Sequence, residues 1–238
     1  MFSHKGKSRT DSHNLGIASI LGFVAGMVNI VGFLAVHKLT TNVTGHFAYF
    51  VDAALGQNFR NVFYVGFYIF SFFLGAFFSS IVVQIYLRRR ENLMYVIPTI
   101  VEALILACIA FFGEYLIEAN PSVIAFSLLF AMGMQNALVT SISKAVVRTT
   151  HLTGLFTDMG IEFAQLFFYK SHAHRNKLFK SIRLRLTIIW MFFGGGVAGG
   201  ILYGYFGIKT LLFATSILLL GLVYDFLKVR LSLLRHKI

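Results

Sequence analysis

The chain has 238 residues, of which 57% are hydrophobic, 27 are Phe and only 2 are Pro, and its 21 Lys and Arg against 9 Asp and Glu give a formal net charge of +12. Too few polar side chains remain to cover a soluble globule of this size, so the composition excludes a water-soluble domain and points to an integral membrane protein. The charge does not indicate nucleic acid, because the basic residues lie in short clusters between apolar runs, as positive-inside topology and contact with anionic lipid require.

The apolar runs are roughly 17–25 residues long, which suits helices crossing a hydrocarbon layer about 30 Å thick, and none alternates as a barrel strand would. The expected class is all-α: one polytopic membrane domain over residues 1–238. Residues 1–14 are polar and basic, and the run after them is too long for a signal-peptide core and has no small-residue cleavage site, so a retained first helix is expected.

That first span, about 16–36, carries Asn29. It is followed by Thr40-Thr41-Asn42-Val43-Thr44-Gly45, and then by a short apolar piece, about 46–55, which at 1.5 Å per residue is roughly 15 Å long, half a bilayer. A second span, about 62–87, has Ser71, Gly75 and Ser79 at four-residue spacing, a stripe along which another helix can approach closely. It ends at Arg88, Arg89 and Arg90. A third span, about 92–112, holds Glu102 beside an expected kink at Pro98, with a short acidic loop predicted over 113–122. Cys108 in this span reads as a small buried hydrophobe and excludes an internal disulfide.

A fourth span from about 123 passes Gln135 and Asn136, and then the six-residue pattern returns 109 positions on, as Thr149-Thr150-His151-Leu152-Thr153-Gly154. Another short apolar piece follows, about 155–169, with Asp158 and Glu162. After the basic stretch 170–185 come two last spans, about 186–206 with five glycines and about 210–227. His172 and His174 read as part of a solvated basic loop, and Trp190 as an interface anchor. The glycine-rich span lacks a phosphate-loop ending and reads as a packing face, which could serve the bundle or a homodimer. No metal-ligand set, cofactor motif or catalytic signature is present, so neither enzymatic chemistry nor a cofactor is expected.

Charge decides the topology. With six crossing spans and both short pieces re-entering from the side they started on, 18 of the 21 Lys and Arg face the cytoplasm, leaving only Lys38, Arg60 and Lys209 outside. Full crossing by both short pieces would move Arg88, Arg89 and Arg90 outside, and crossing by the second alone would move six more basic residues. Each repeat unit, about 15–112 and 123–227, then holds three crossings, so the second is inverted relative to the first. Inverted repeats with broken helices meeting near the midplane are a transporter device, since unwound backbone and half-helix N-termini can hold a polar solute.

The runs Ala25-Gly26-Met27-Val28-Asn29-Ile30-Val31-Gly32-Phe33-Leu34 and Thr41-Asn42-Val43-Thr44-Gly45-His46, with Ala131-Met132-Gly133-Met134-Gln135-Asn136-Ala137 and Arg148-Thr149-Thr150-His151-Leu152-Thr153-Gly154, resemble the YoaK family of bacterial inner-membrane proteins, also called DUF1275. The resemblance covers nearly the whole chain. It departs at Asn29, where members often carry Asp, and at His46, where they carry Asn. What it implies is a multi-spanning inner-membrane protein, with a transporter as one outcome and no substrate attached.

The expected site is a polar centre shared by the two breaks: Asn29, Thr41, Thr44, Gly45 and His46 from the first, and Gln135, Asn136, Thr150, His151, Thr153 and Gly154 from the second. The threonine hydroxyls are expected to cap the freed helix ends, and each asparagine to find partners in the opposite loop. Asp52, Glu102 and Glu162 are candidates for proton coupling, since carboxylates inside a membrane are costly. The expected function is a permease or channel for a small polar solute, with both termini cytoplasmic; a non-transporting membrane scaffold is the alternative.

Overall fold

A computed structural model of the chain describes residues 10–87, 94–143 and 145–235, with side chains as far as residue 227. The basic residues at 1–9 and 88–90, Lys144, and the side chains of the basic C-terminal tail, all part of the charge count, lie outside the described residues. The regular structure described is helical throughout: α1 (Asp11–Val36), α2 (Val43–Leu55), α3 (Phe59–Leu87), α4 (Val96–Ala119), α5 (Pro121–Ser143), α6 (Leu152–Phe168), α7 (His172–Phe206) and α8 (Leu211–Arg235), with one 3-10 turn, Gly207–Thr210, between α7 and α8. Among the described residues five stretches are long and apolar enough to cross a membrane: α1, α3, α4, α5 and His172–Leu227, which takes in α7 and most of α8. The protein is an all-helical membrane protein whose long helices are interrupted by two short ones, α2 with 13 residues and α6 with 17.

Local chemistry sets the ends. Thr10 opens α1 with a capping box, its hydroxyl accepting from the His13 backbone N–H while His13 Nδ1 accepts from the Thr10 N–H. Pro121 opens α5 at the position where its missing donor removes no bond. After α1 the chain turns at His37 (φ 53°) and after α5 at Ala145 (φ 63°), both left-handed. Each turn reverses the chain and lays it back against the helix it has just left.

Several boundaries differ from expectation, and for one reason. Residues 113–119 are the end of α4, leaving only Asn120 before α5, and the basic stretch with His172 and His174 is the first half of α7. Hydropathy marks where a helix is apolar, whereas the backbone ladder continues into water wherever Lys, Arg, Leu and Glu favour it. His174 stacks on Tyr169, with ring centroids 4.2 Å apart. Pro98 sits in the first turn of α4, where it breaks no ladder bond, so no kink lies beside Glu102. Trp190 is exposed on α7, two positions beyond Ile188, which meets Gly22 of α1. Cys108 is exposed on the outer face of α4 rather than buried.

Two close helix crossings hold the bundle. Helix α1 lies parallel to α7, with Gly22 near Ile188 and Gly199 near Ile30; α3 lies parallel to α5, with Tyr68 near Phe126 and Phe78 near Phe130. Each crossing is made by a pair of Phe-x-x-Gly segments. A Cβ on Gly26 would fall 1.9 Å from the carbonyl oxygen of Phe192, and one on Gly195 falls 1.9 Å from that of Phe23. At the other crossing a Cβ on Gly75 would meet the Phe130 oxygen at 2.0 Å, and one on Gly133 the Phe72 oxygen at 2.1 Å. Only hydrogen fits at these four positions, so the backbones touch, the arrangement that favours association where no water drives it. The Ser71, Gly75 and Ser79 stripe thus packs as expected, against α5. Helices α4 and α8 pack on each other, α4 also on α5 and α8 on α1, while α2 lies along α3 and α6 along α7.

Candidate functional site

The two breaks are the unwound residues 37–42, between α1 and α2, and 145–151, before α6. Thr44 and Gly45, and likewise Thr153 and Gly154, fall in the first turns of α2 and α6 instead of in the unwound segments. At the first break Thr40 is fully buried, and its hydroxyl donates to the Val28 carbonyl at 3.4 Å. Gly32 makes room for it, since a Cβ there would fall 2.5 Å from the Thr40 methyl. Thr41 donates to Asn29 Oδ1 at 2.9 Å. The cap of α2 is Asn42, whose Oδ1 accepts from the Gly45 N–H at 3.0 Å, and not a threonine. His46, 1% exposed, places Nε2 2.7 Å from the Leu39 carbonyl and its ring 5.4 Å from that of Tyr68. Tyr68 in turn donates to Ser122 at the start of α5. His46 therefore closes the loop and seats α2 on α3.

The second break repeats this plan with different partners. Thr149, fully buried like Thr40, donates to Gln135 Oε1 at 3.4 Å, and Gln135 Nε2 donates to Glu102 Oε1 at 2.9 Å. Thr149, Gln135 and Glu102 thus form one buried chain across α5 and α4. Asn136 is half-buried, with its Oδ1 enclosed and without a hydrogen-bond partner among the described residues. Thr150 is half-buried, and His151 and Thr153 are exposed. Gly154 lies under the His151 ring, where a Cβ would collide with Nε2 at 2.2 Å.

Each break is tied to its own helix, which corrects the expectation that the opposite loop supplies the partners of Asn29 and Asn136. The reversal at His37 and at Ala145 brings the loop down beside the last turns it has left, so the nearest donors are local. The structure does place Asn29 and Leu152, the first residue of α6, on one groove of about 1110 Å³ with Phe156, Ile189 and Trp190. Among the carboxylates, Glu102 is buried, Asp52 is exposed on α2, and Glu162 is bound by Arg185 at 2.9 Å and Ser181 at 2.6 Å. Arg185 also binds Asp158 at 2.7 Å, clasping α6 to α7.

Thr40 and Thr149 are the residues that sequence reasoning missed. Both open the repeated six-residue pattern, and their identity in the two copies was the available signal. No curated protein and no solved structure matches the chain. The profile of the family described as "Protein of unknown function (DUF1275)" matches residues 17–224. The chain belongs to the DUF1275 family.

Proposed function

We propose that the protein is a membrane transporter or channel for a small polar solute, built of six crossings in two inverted three-span repeats, with its pathway at the two breaks. The observation that carries the reading is the exchange of partners between the halves. The first helix of each repeat, α1 or α5, crosses the third element of the other, α7 or α3, through the same Phe-x-x-Gly contact, with Gly26 answering to Gly133 and Gly75 to Gly195. Each first helix is followed by a left-handed turn, a buried threonine bonded back to it, and a short helix. Buried polar groups are costly in lipid unless they serve a fold or a ligand. Glu102 is bound by Gln135, whereas Asn136 Oδ1 is enclosed without a partner among the described residues, which supports a polar ligand near it. Inverted breaks opening to opposite sides supply one half-helix N-terminus to each side of the barrier.

The charge distribution supports a topology with the start of α1, the end of α5 and the basic half of α7 on the cytoplasmic side of an inner membrane and α2 re-entering from outside. The alternative, a non-transporting scaffold, is favoured by the mostly apolar walls of the groove at Asn29. Swelling of proteoliposomes in urea or glycerol separates the two. The transporter reading expects faster entry than in empty vesicles, slowed by Asn136→Ala; equal rates with and without protein across a panel of small polar solutes would leave the scaffold. Single cysteines at Lys177 and Lys209 in a Cys108→Ser background are expected to label from opposite faces, and labelling of both from one face would overturn the topology.

A further inference from the structure

At the end of the bundle that carries Asp11, a cavity of about 780 Å³ opens among the start of α1, the second break, the first turn of α6 and the basic half of α7. Five cations line it: Arg148, Lys177, Lys180, Arg183 and Arg185. Two are answered by carboxylates, since Lys180 meets Asp11 at 2.8 Å and Arg185 meets Asp158 and Glu162. Arg148, Lys177 and Arg183 have no ionic or hydrogen-bond partner among the described residues. Positive residues at a membrane surface ordinarily point outward into water, each solvated separately. Here they converge on one concavity of the size that encloses a small molecule.

The two copies of the break differ at this point. In the first, Asn42 occupies the end of α2 with its own carboxamide, capping the Gly45 N–H. In the second, His151 stands where Asn42 stood and makes no side-chain cap. The first-turn N–H groups of the 17-residue α6 are left without that acceptor, and His151, Gly154 and Leu155 of the same turn line the cavity. Uncapped donors, the positive end of the helix dipole and three unanswered cations all ask for the same thing, a multiply charged anion. The three cations exceed what a single carboxylate needs and match a phosphate, whose oxygens arginine forks bind in pairs.

We propose that this cavity binds a phosphate group, carried either by a small soluble phosphate ester or by the headgroup of an anionic lipid. Arg148, Lys177 and Arg183 supply the charge, and the first turn of α6 supplies the backbone donors. Binding here requires no transport, so the proposal stands or falls apart from the permease reading.

The test uses the full chain purified in a neutral detergent at low salt, titrated calorimetrically with glycerol 3-phosphate, with inorganic phosphate and with micelle-soluble dihexanoyl phosphatidylglycerol. Saturable binding is expected, weakened about ten-fold or more by Arg148→Gln with Arg183→Gln, as expected for the loss of charge-assisted bonds. Lys209→Gln, at the other end of the bundle, should leave it unchanged. Binding of the soluble phosphates identifies a free ester as the source, and binding of the lipid alone identifies a headgroup. An unfolding midpoint equal to that of the parent keeps the double variant interpretable, and Lys177→Gln alone serves if that variant does not fold. Failure of all three probes to bind, or loss of affinity in Lys209→Gln equal to that in the double variant, would overturn the proposal.

Discussion

Replacing Gly195 by Ala puts a methyl 1.9 Å from the Phe23 carbonyl oxygen, on rigid helical backbone that cannot swing aside. To reach ordinary van der Waals distance the α1 and α7 backbones must separate by about 1.5 Å, and the contacts along the whole crossing weaken together. Overpacking of this kind costs about 1–3 kcal/mol, of which the better helix propensity of Ala returns up to about 1 kcal/mol. A net loss of about 1–2 kcal/mol is therefore expected, read as a lower midpoint in denaturation of the detergent-solubilised protein by dodecyl sulfate. Two controls are built into the same helix, because a Cβ on Gly194 or Gly204 meets nothing within 4 Å. Gly194→Ala and Gly204→Ala should be neutral or slightly stabilising. Gly26→Ala acts at the same crossing, so once the helices have parted the second methyl costs little and the double variant with Gly195→Ala falls short of the sum. Gly75→Ala lies at the other crossing and should add to Gly195→Ala in full. Equal destabilisation by Gly194→Ala and Gly195→Ala, or strict additivity within one crossing, would refute the account.

Thr41→Val removes the donor to Asn29 Oδ1 and should cost about 1–2 kcal/mol in the same denaturation assay, with Thr41→Ser close to the parent. Glu102→Gln keeps a carbonyl for Gln135 Nε2 and should fold normally, whereas Glu102→Ala leaves that amide unpaired and should lose about 1–3 kcal/mol; if Glu102 also carries a proton during transport, Glu102→Gln abolishes the pH dependence of solute flux. Ala145→Gly relieves a left-handed alanine and should raise stability by about 1 kcal/mol, a gain that Gly at a helical site such as Ala137 would not give.

The apolar runs, the two shorter helices and the small-residue stripes were legible in the sequence because each depends on spacing along one helix. The partners of those stripes were not. Gly75 and Gly195 announce a close approach, but that α5 receives one and α1 the other depends on how the helices are arranged in three dimensions, which spacing does not encode. The candidate site shows the same division. Buried polar residues around the breaks could be named, yet Asn29 finds its partner in Thr41, only 12 positions away, because a left-handed turn at His37 folds the loop back. Little in the sequence marks His37 as such a turn, since glycine is the usual sign. Thr40 and Thr149 are the same in both copies of the pattern, but so are Thr41 and Thr150 beside them, so the repeat alone does not say which threonine of each pair is fully buried.

The exchange of partners between the halves bears on how the chain is made. Helix α1 is made well before α7, yet the surface it must close against is on α7, which emerges only after the five helices between them. Until then Gly26 and its neighbours offer a bare strip of backbone to lipid or to an insertion factor. The first half of the chain cannot complete its own principal contact, and neither can the second, so each half is a fragment that needs its complement. Co-expression of the two halves from separate messages, divided at Asn120, should therefore rebuild the bundle, while either half alone should be degraded.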